Sequence, residues 1–339
     1  MTIICGDCLE VMKTFPDNHF SCVVTDPPYG LSFMGKGWDH AVPQMSYWKE
    51  TLRISKPGSF LISMGGTRTF HRLTCEIEDA GWEIRDCISW LYGSGFPKSH
   101  NHFGIEGYGT ALKPAWEPCI VAMKPCDGNF KENAEKWGQA GINIDGCRIE
   151  GNWERSTPYV NDIRGGNFIQ DEIKRLPCAP QKFHAKGRWP ANVILDEEAG
   201  KMLDVQSGHL SSGQLNREKI CAENKIYGTS PKKMVGKYAA NSGGASRFFY
   251  CAKASPCERN EGLAGMPQKN NHPTVKPIKL MEYLIKLIMP PKDGILLDPF
   301  AGSGTTILAA KRLGFDAVGI EKSEEYCTIS NARIASIMI

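Results

Sequence analysis

The chain has 339 residues, of which 41% are hydrophobic and 23% charged, and a formal net charge of +3. This is enough to bury one large core or two modest ones, and the balance excludes a disordered or fibrous chain. No apolar run approaches the roughly 18 residues that span a bilayer, the start "MTIICGDCLE" lacks a basic stretch before an apolar one, and the net charge is too small to point to a nucleic acid by itself; the expectation is a cytoplasmic protein with no membrane contact.

Up to about residue 125 the pattern alternates. "TIIC" (2–5) reads as a strand and "CLEVMKTF" (8–15) as a short helix. "FSCVVTD" (20–26) is the next strand, followed by a helix over 43–55 and a turn into the strand "PGSFLISMG" (57–65). Residues 67–80 read as helix, and "WEIRDCISWLY" (82–92) and "EPCIVAMK" (117–124) as two further strands. Such alternation marks a mostly parallel sheet with helices on its faces.

From 126 to 245 glycine, asparagine and charge dominate, and the region reads as an irregular insert without long helices. Between Arg217 and Lys253 stand eight basic residues, Lys232, Lys233 and Lys237 among them, against two acidic ones. Such a stretch can follow a phosphate backbone, although a solvated lysine-rich loop explains the charge equally well. Regularity returns with the strand "SRFFYCAKA" (246–254) and the helix "PIKLMEYLIKLIM" (277–289). The last segment, from "GILLDPFAGSGTT" onward, reads strand, glycine-rich turn, helix, strand, helix. Thirteen scattered cysteines, with Cys5–Cys8 the single C-x-x-C, point to reduced thiols rather than a zinc site; no metal is expected.

Two stretches carry chemistry. In "LLDPFAGSGTT" (296–306), Gly302 and Gly304 let backbone approach a ligand closely, and Glu321 at the end of the next strand can accept from ribose hydroxyls. Thr305 and Thr306 stand where a phosphate loop needs Lys and Ser or Thr, so that reading fails. Ile307 stands where a dinucleotide fingerprint needs its third glycine, and Asp298 would repel a pyrophosphate. An acid there suits S-adenosylmethionine, which carries a sulfonium, an ammonium and a ribose but no phosphate. In "VVTDPPYG" (23–30), a buried strand runs into two prolines that must end it. Asp26 and the carbonyls beside it present acceptors for a planar heterocyclic NH₂, and Tyr29 offers a face for an extruded base.

In combination these stretches resemble the amino-group DNA methyltransferases, which act on adenine or cytosine, in the permuted arrangement called the beta group. "TDPPYG" (25–30) precedes "LDPFAGSGTT" (297–306) as in that group. "NHPTVKP" (271–277) and "GDCLEVM" (6–12) match its flanking cofactor segments. "YGSGFPKS", "NIDGCRI", "GRWPANVI" and "RFFYCAKAS" resemble a phage and mobile-element subset. The resemblance covers nearly the whole chain and is weakest at 150–180 and 200–235.

It implies an α/β fold: a Rossmann-like S-adenosylmethionine-dependent methyltransferase sheet of seven mostly parallel strands, the last reversed, circularly permuted and carrying an inserted target-recognition region. The catalytic half would be 1–124, the insert 125–245 and the cofactor half 246–339. Asp26, Pro27, Pro28 and Tyr29 become the catalytic group. Asp298, Phe300, Gly302 and Gly304 would line the methionine and sulfonium end, with Thr274 and Lys276 nearby. Glu321 would take the ribose and Asp7 the adenine amine, while Cys8, Asp26, Ala301 and Thr305 complete the cofactor set. Trp90 and Tyr92 are candidates to flank the flipped base, although a core pair of aromatics reads nearly as well. Lys36, in the glycine-flanked stretch after the catalytic turn, is a candidate phosphate contact, as are Lys232, Lys233 and Lys237.

Asp rather than Ser at position 26 implies N6-adenine in double-stranded DNA, with N4-cytosine as the alternative. A homodimer and a partner restriction endonuclease fit the resemblance. A nicotinamide-dependent oxidoreductase or a non-catalytic DNA-binding module would explain parts of the pattern, but neither gives both motifs a task.

Overall fold

The computed structural model describes residues 1–32, 39–95, 99, 104–150, 187–212, 215–220, 233–238, 241–252, 260–261, 263, 270, 275–291 and 294–337, with backbone alone at 212, 215–220, 233–238 and 241. The chain divides into two compact units. One comprises 1–147, 190–202 and 249–339, the other 148–189 and 203–248. Of the stretch 125–245 expected as the insert, residues 125–147 and 190–202 fall in the first unit.

In chain order the first unit contains β1 (Thr2–Cys5), α1 (Cys8–Met12), β2 (Phe20–Thr25), α2 (Met45–Ile54), β3 (Ser55–Met64), α3 (Phe70–Asp79), β4 (Glu83–Leu91), β5 (Trp116–Met123) and α4 (Phe130–Trp137). β6 (Val193–Asp196) follows and leads into α5 (Glu197–Ser207). The second unit contributes two antiparallel pairs: β7 (Leu210–Ser212) with β10 (Asn241–Gly243), and β8 (Leu215–Ile220) with β9 (Lys233–Tyr238). The first unit resumes with β11 (Tyr250–Ala252), α6 (Ile278–Ile288), β12 (Ile295–Asp298), α7 (Thr305–Arg312), β13 (Asp316–Glu321) and α8 (Glu324–Ala335).

One sheet runs β1-β13-β12-β2-β3-β5-β4-β6-β11. Its neighbours pair parallel except around β5, which is antiparallel to both β3 and β4. The reversed strand is thus wedged inside the sheet. Nine strands replace the seven expected, because the short β6 and β11 extend the edge beyond β4. The expected strand at 246–254 shrinks to β11, since residues 245–248 close into a 3-10 turn whose Ser246 amide and hydroxyl donate to Asp204 at 2.8 and 2.7 Å.

Two cores flank the sheet, and strand alternation sorts side chains between them. On one face Cys22, Val24, Ile62, Val121 and Leu296 meet Leu284, Ile285 and Leu308 from α6 and α7. On the other, Val23, Leu61, Ile120 and Leu297 meet Trp48, Leu73 and Ile77 from α2 and α3. Phe20 joins that second core although its parity matches Cys22; the β2–β3 register shifts between these two residues and turns it over. Each fully buried large apolar side chain of this kind stabilises the fold by about 1.5–3 kcal/mol. With both faces covered, β2 is buried at every position, which accounts for its continuous apolar run. No helix among the described residues is long and apolar enough to cross a membrane.

Candidate active site

The parallel register brings the carboxyl ends of β1, β2, β12 and β13 to one edge of the sheet, where open α/β sheets hold ligands. A cleft of about 1550 Å³ opens there. Its lining contains Asp7, Cys8, Asp26, Pro27, Pro28, Tyr29, Tyr92, Lys276, Asp298, Phe300, Ala301, Gly302, Thr305 and Glu321. Residues expected from both motifs, 250 or more positions apart in sequence, therefore share one cavity.

The β12–α7 turn is built for close approach. Gly302 and Gly304 take φ of 52° and 77°, in the left-handed region that favours glycine. A Cβ on Gly304 would stand 2.9 Å from the Ser330 Cβ. Arg333, fully buried in α8, braces the turn by donating to the Ser303 carbonyl at 2.5 Å and the Thr305 hydroxyl at 3.1 Å. Glu321 accepts from the Gly302 amide at 2.9 Å and the Ser323 amide at 2.7 Å. Burial raises its carboxyl above the usual range against those backbone donors.

Asp298 is 1% exposed. It accepts from the Thr25 hydroxyl at 2.7 Å and the Phe300 amide at 3.1 Å, which ties the ends of β12 and β2 together. Burial pushes its carboxyl up to about 6, against the Thr306 and Thr25 hydroxyls. Asp7 caps α1 by accepting from the Leu9 amide at 3.0 Å, and its other oxygen meets the Lys322 ammonium at 3.2 Å. For Asp7 burial acts upward, yet the Lys322 and Leu9 contacts together hold the carboxyl below its ordinary value. Cys8 is buried beside it, and burial pushes its thiol up to about 12.

At the end of β2 the Tyr29 hydroxyl donates to Asp26 at 2.7 Å and also lies 3.0 Å from Glu117. The Lys276 ammonium meets Asp26 at 2.8 Å and Glu117 at 3.3 Å, and sits 5.2 Å from the Tyr29 ring centroid. Burial, then the Asp26 and Glu117 charges, push the Tyr29 phenol far upward. Burial works against the Lys276 ammonium, but the two carboxylates outweigh it and raise its pKa above the ordinary lysine value. Thr69 fixes the turn from below, its hydroxyl donating to the Tyr29 carbonyl at 2.6 Å. The Gly30 amide donates to Asp39 at 2.8 Å.

The DNA methylase family pattern matches residues 20–332. The chain belongs to the DNA methylase family. This DNA methylase is 46% identical over 370 residues to the Type II methyltransferase M.HindIII of Haemophilus influenzae, covering 97% of this chain and 93% of that one. It is 22% identical over 345 residues to the Type II methyltransferase M.HpaI of Haemophilus parainfluenzae, covering 98% and 74%. Its fold resembles the solved cytosine-N4-specific PvuII DNA methyltransferase, with a TM-score of 0.53 at 16% identity, covering 98% of this chain and 85% of that one.

The methyl donor of this DNA methylase is S-adenosylmethionine, and the cleft has the donor set for it. Asp7, Asp298 and Glu321 line it with carboxylates, which suits a cation, a ribose and an amine and opposes a phosphate. Glu321, with one amide on each oxygen, retains acceptor capacity for hydroxyls.

Other expected residues are placed differently. Trp90 is a core residue, 8% exposed, with its ring 5.1 Å from that of Tyr92. Tyr92, just beyond the strand end, alone of the pair reaches the cleft. Lys276 lies in the cleft with its ammonium on carboxylates. Gly304 stands behind the lining, packed on Ser330. Lys36, Thr274 and Lys232 lie outside the described residues, and of Lys233 and Lys237 only the backbone is described, in register with Ile220 and Asn216. Sequence reasoning missed Glu117, Thr25 and Arg333. The signal for Glu117 was a lone acid, between Trp116 and Pro118, heading an otherwise apolar strand.

Proposed function

We propose that this protein transfers the methyl group to the exocyclic N6 amine of adenine in duplex DNA, at one recognition sequence, as the protective partner of a restriction endonuclease. The observation that carries the reading is Asp26, a carboxylate at the end of β2 that lines the cleft beside the Tyr29 ring. The resemblance of its "DPPY" turn to adenine-directed members supports N6. The PvuII likeness concerns the fold and does not choose the base. The Type II relatives support sequence specificity and a partner nuclease.

When bound, S-adenosylmethionine supplies an electrophilic methyl group on a sulfonium. The residues at the end of β2 prepare the nucleophile. The Asp26 carboxylate and the Pro27 carbonyl accept the two N–H bonds of the flipped base, drawing its nitrogen toward tetrahedral geometry and freeing the lone pair. Tyr29 stacks on the base and Tyr92 bounds it. The amine attacks directly, with inversion at carbon and no covalent bond to the protein, and its surplus proton leaves toward the Asp26 carboxylate. Positioning and preorganised acceptors carry the rate. The second unit, with the basic stretch on and around β8 and β9, reads the duplex.

Modified-base sequencing of host DNA from cells expressing the protein tests this reading. Modified adenine at every copy of one short motif supports it. Modified cytosine, or modification scattered without a motif, overturns it.

A further inference from the structure

We infer that Lys276 and Glu117 are positioning residues for the methyl-acceptor site: the Lys276 ammonium holds the place of the target amine on Asp26 in the free protein and moves onto Glu117 when the base enters. The inference rests on the reading of Asp26 as the amine acceptor.

Two carboxylates share one phenol and one ammonium here. Asp26 and Glu117 lie 2.7 and 3.0 Å from the Tyr29 hydroxyl, and 2.8 and 3.3 Å from the Lys276 nitrogen. The Lys276 ammonium is the cation that stands between these two carboxyl groups. Lys276 is only 9% exposed, which rules out a solvated loop lysine. Its backbone is held in place by Pro277, the N-cap of α6, whose apolar side chains are buried in the core. The ammonium also rests over the Tyr29 ring, the face expected to receive the base. An incoming amine and this ammonium thus compete for one Asp26 oxygen, while Glu117 offers the cation a second seat within its reach. The titratable groups facing Asp26 are Tyr29 on its own turn, Glu117 and Cys119 from β5, Lys276 before α6, and Asp298 from β12; Tyr92 beyond β4 senses Glu117 and Lys276.

Single-turnover methyl transfer from S-adenosylmethionine to unmethylated genomic DNA, followed from pH 6 to 9, tests the inference. Lys276→Met removes the cation between the two carboxyl groups and leaves them facing each other, so its rate at pH 6.5 falls about tenfold or more and approaches wild type as the pH rises. Glu117→Gln added to Lys276→Met removes the second acid and restores about fivefold or more at pH 6.5. Lys276→Arg keeps the wild-type pH profile. Protection of each variant against heat by S-adenosylhomocysteine confirms an intact fold and cofactor site. A loss that does not change with pH, or a double variant no faster than Lys276→Met, overturns the inference. Transfer retained in Asp26→Ala overturns the reading of Asp26, and this inference with it.

Discussion

Substituting Asp298→Asn removes one negative charge from a side chain that is 1% exposed, while its remaining amide oxygen can still accept from the Thr25 hydroxyl and the Phe300 amide. Burial pushes this carboxyl up to about 6 in the folded chain, against about 3.9 for an unfolded aspartate. The folded state therefore binds the proton more tightly. Stability falls as pH rises through that window, and the cost of the buried charge is fully present above it. About two pH units correspond to about 3 kcal/mol, so the ligand-free Asn variant gains about 1–3 kcal/mol at pH 8 and nothing near pH 4. For a chain of this size that raises the melting temperature by about 1–4 °C. In the proposed reading the same change removes the carboxylate that meets the cationic end of the cofactor, and S-adenosylmethionine binds about tenfold or more weakly. Wild-type affinity declines as the pH falls below about 6, where Asp298 takes up its proton, and the Asn variant lacks that step. Thermal melts from pH 4 to 8.5 and titration calorimetry read both effects. An Asn variant that melts below wild type at pH 8, or binds the cofactor as tightly, would show that Asp298 is neither a buried charge that costs stability nor a cofactor contact.

Asp26→Ala abolishes methyl transfer and leaves cofactor affinity within about threefold of wild type, read by calorimetry; loss of binding with the fold intact contradicts the division of roles. Tyr29→Phe keeps the ring and removes the hydroxyl shared by Asp26 and Glu117, so single-turnover rates fall about tenfold while the DNA dissociation constant, measured by fluorescence anisotropy, holds. Gly304→Ala forces a left-handed φ on alanine and a contact of 2.9 Å with Ser330, lowering stability by about 2 kcal/mol or more in urea unfolding. An unchanged midpoint would show that the β12–α7 turn relaxes freely.

Much of the fold was legible because its signals are local. The β12–turn–α7–β13 unit announces itself through Gly302, Gly304 and Glu321, and the helices expected at 43–55 and 67–80 form as α2 and α3, two or three residues shorter at their starts. The seven-strand count came from the family resemblance; the sequence did offer β11, drawn too long at 246–254, while β6, with four residues, is too short for alternation to show. α4 escaped notice although it carries its own signals, the Asn129–Glu132 capping box and a left-handed Gly138 at its end. Both motif halves of the site could be read from the chain, since each is contiguous. Glu117 and Arg333 could not: their importance arises from pairing across the sheet and the α7–α8 contact, which spacing along the chain does not encode. Trp90 and Tyr92 share a parity, so only their depth along β4 separates a core residue from one that lines the cleft.

Nucleoside mass spectrometry of unmethylated DNA after incubation with purified protein and S-adenosylmethionine reads the reaction and the base together. N6-methyladenine is the expected product, absent with Asp26→Ala. N4-methylcytosine would keep the chemistry of the cleft and contradict the assignment of the base, and DNA left unmethylated by protein that binds the cofactor would contradict the assignment of the substrate.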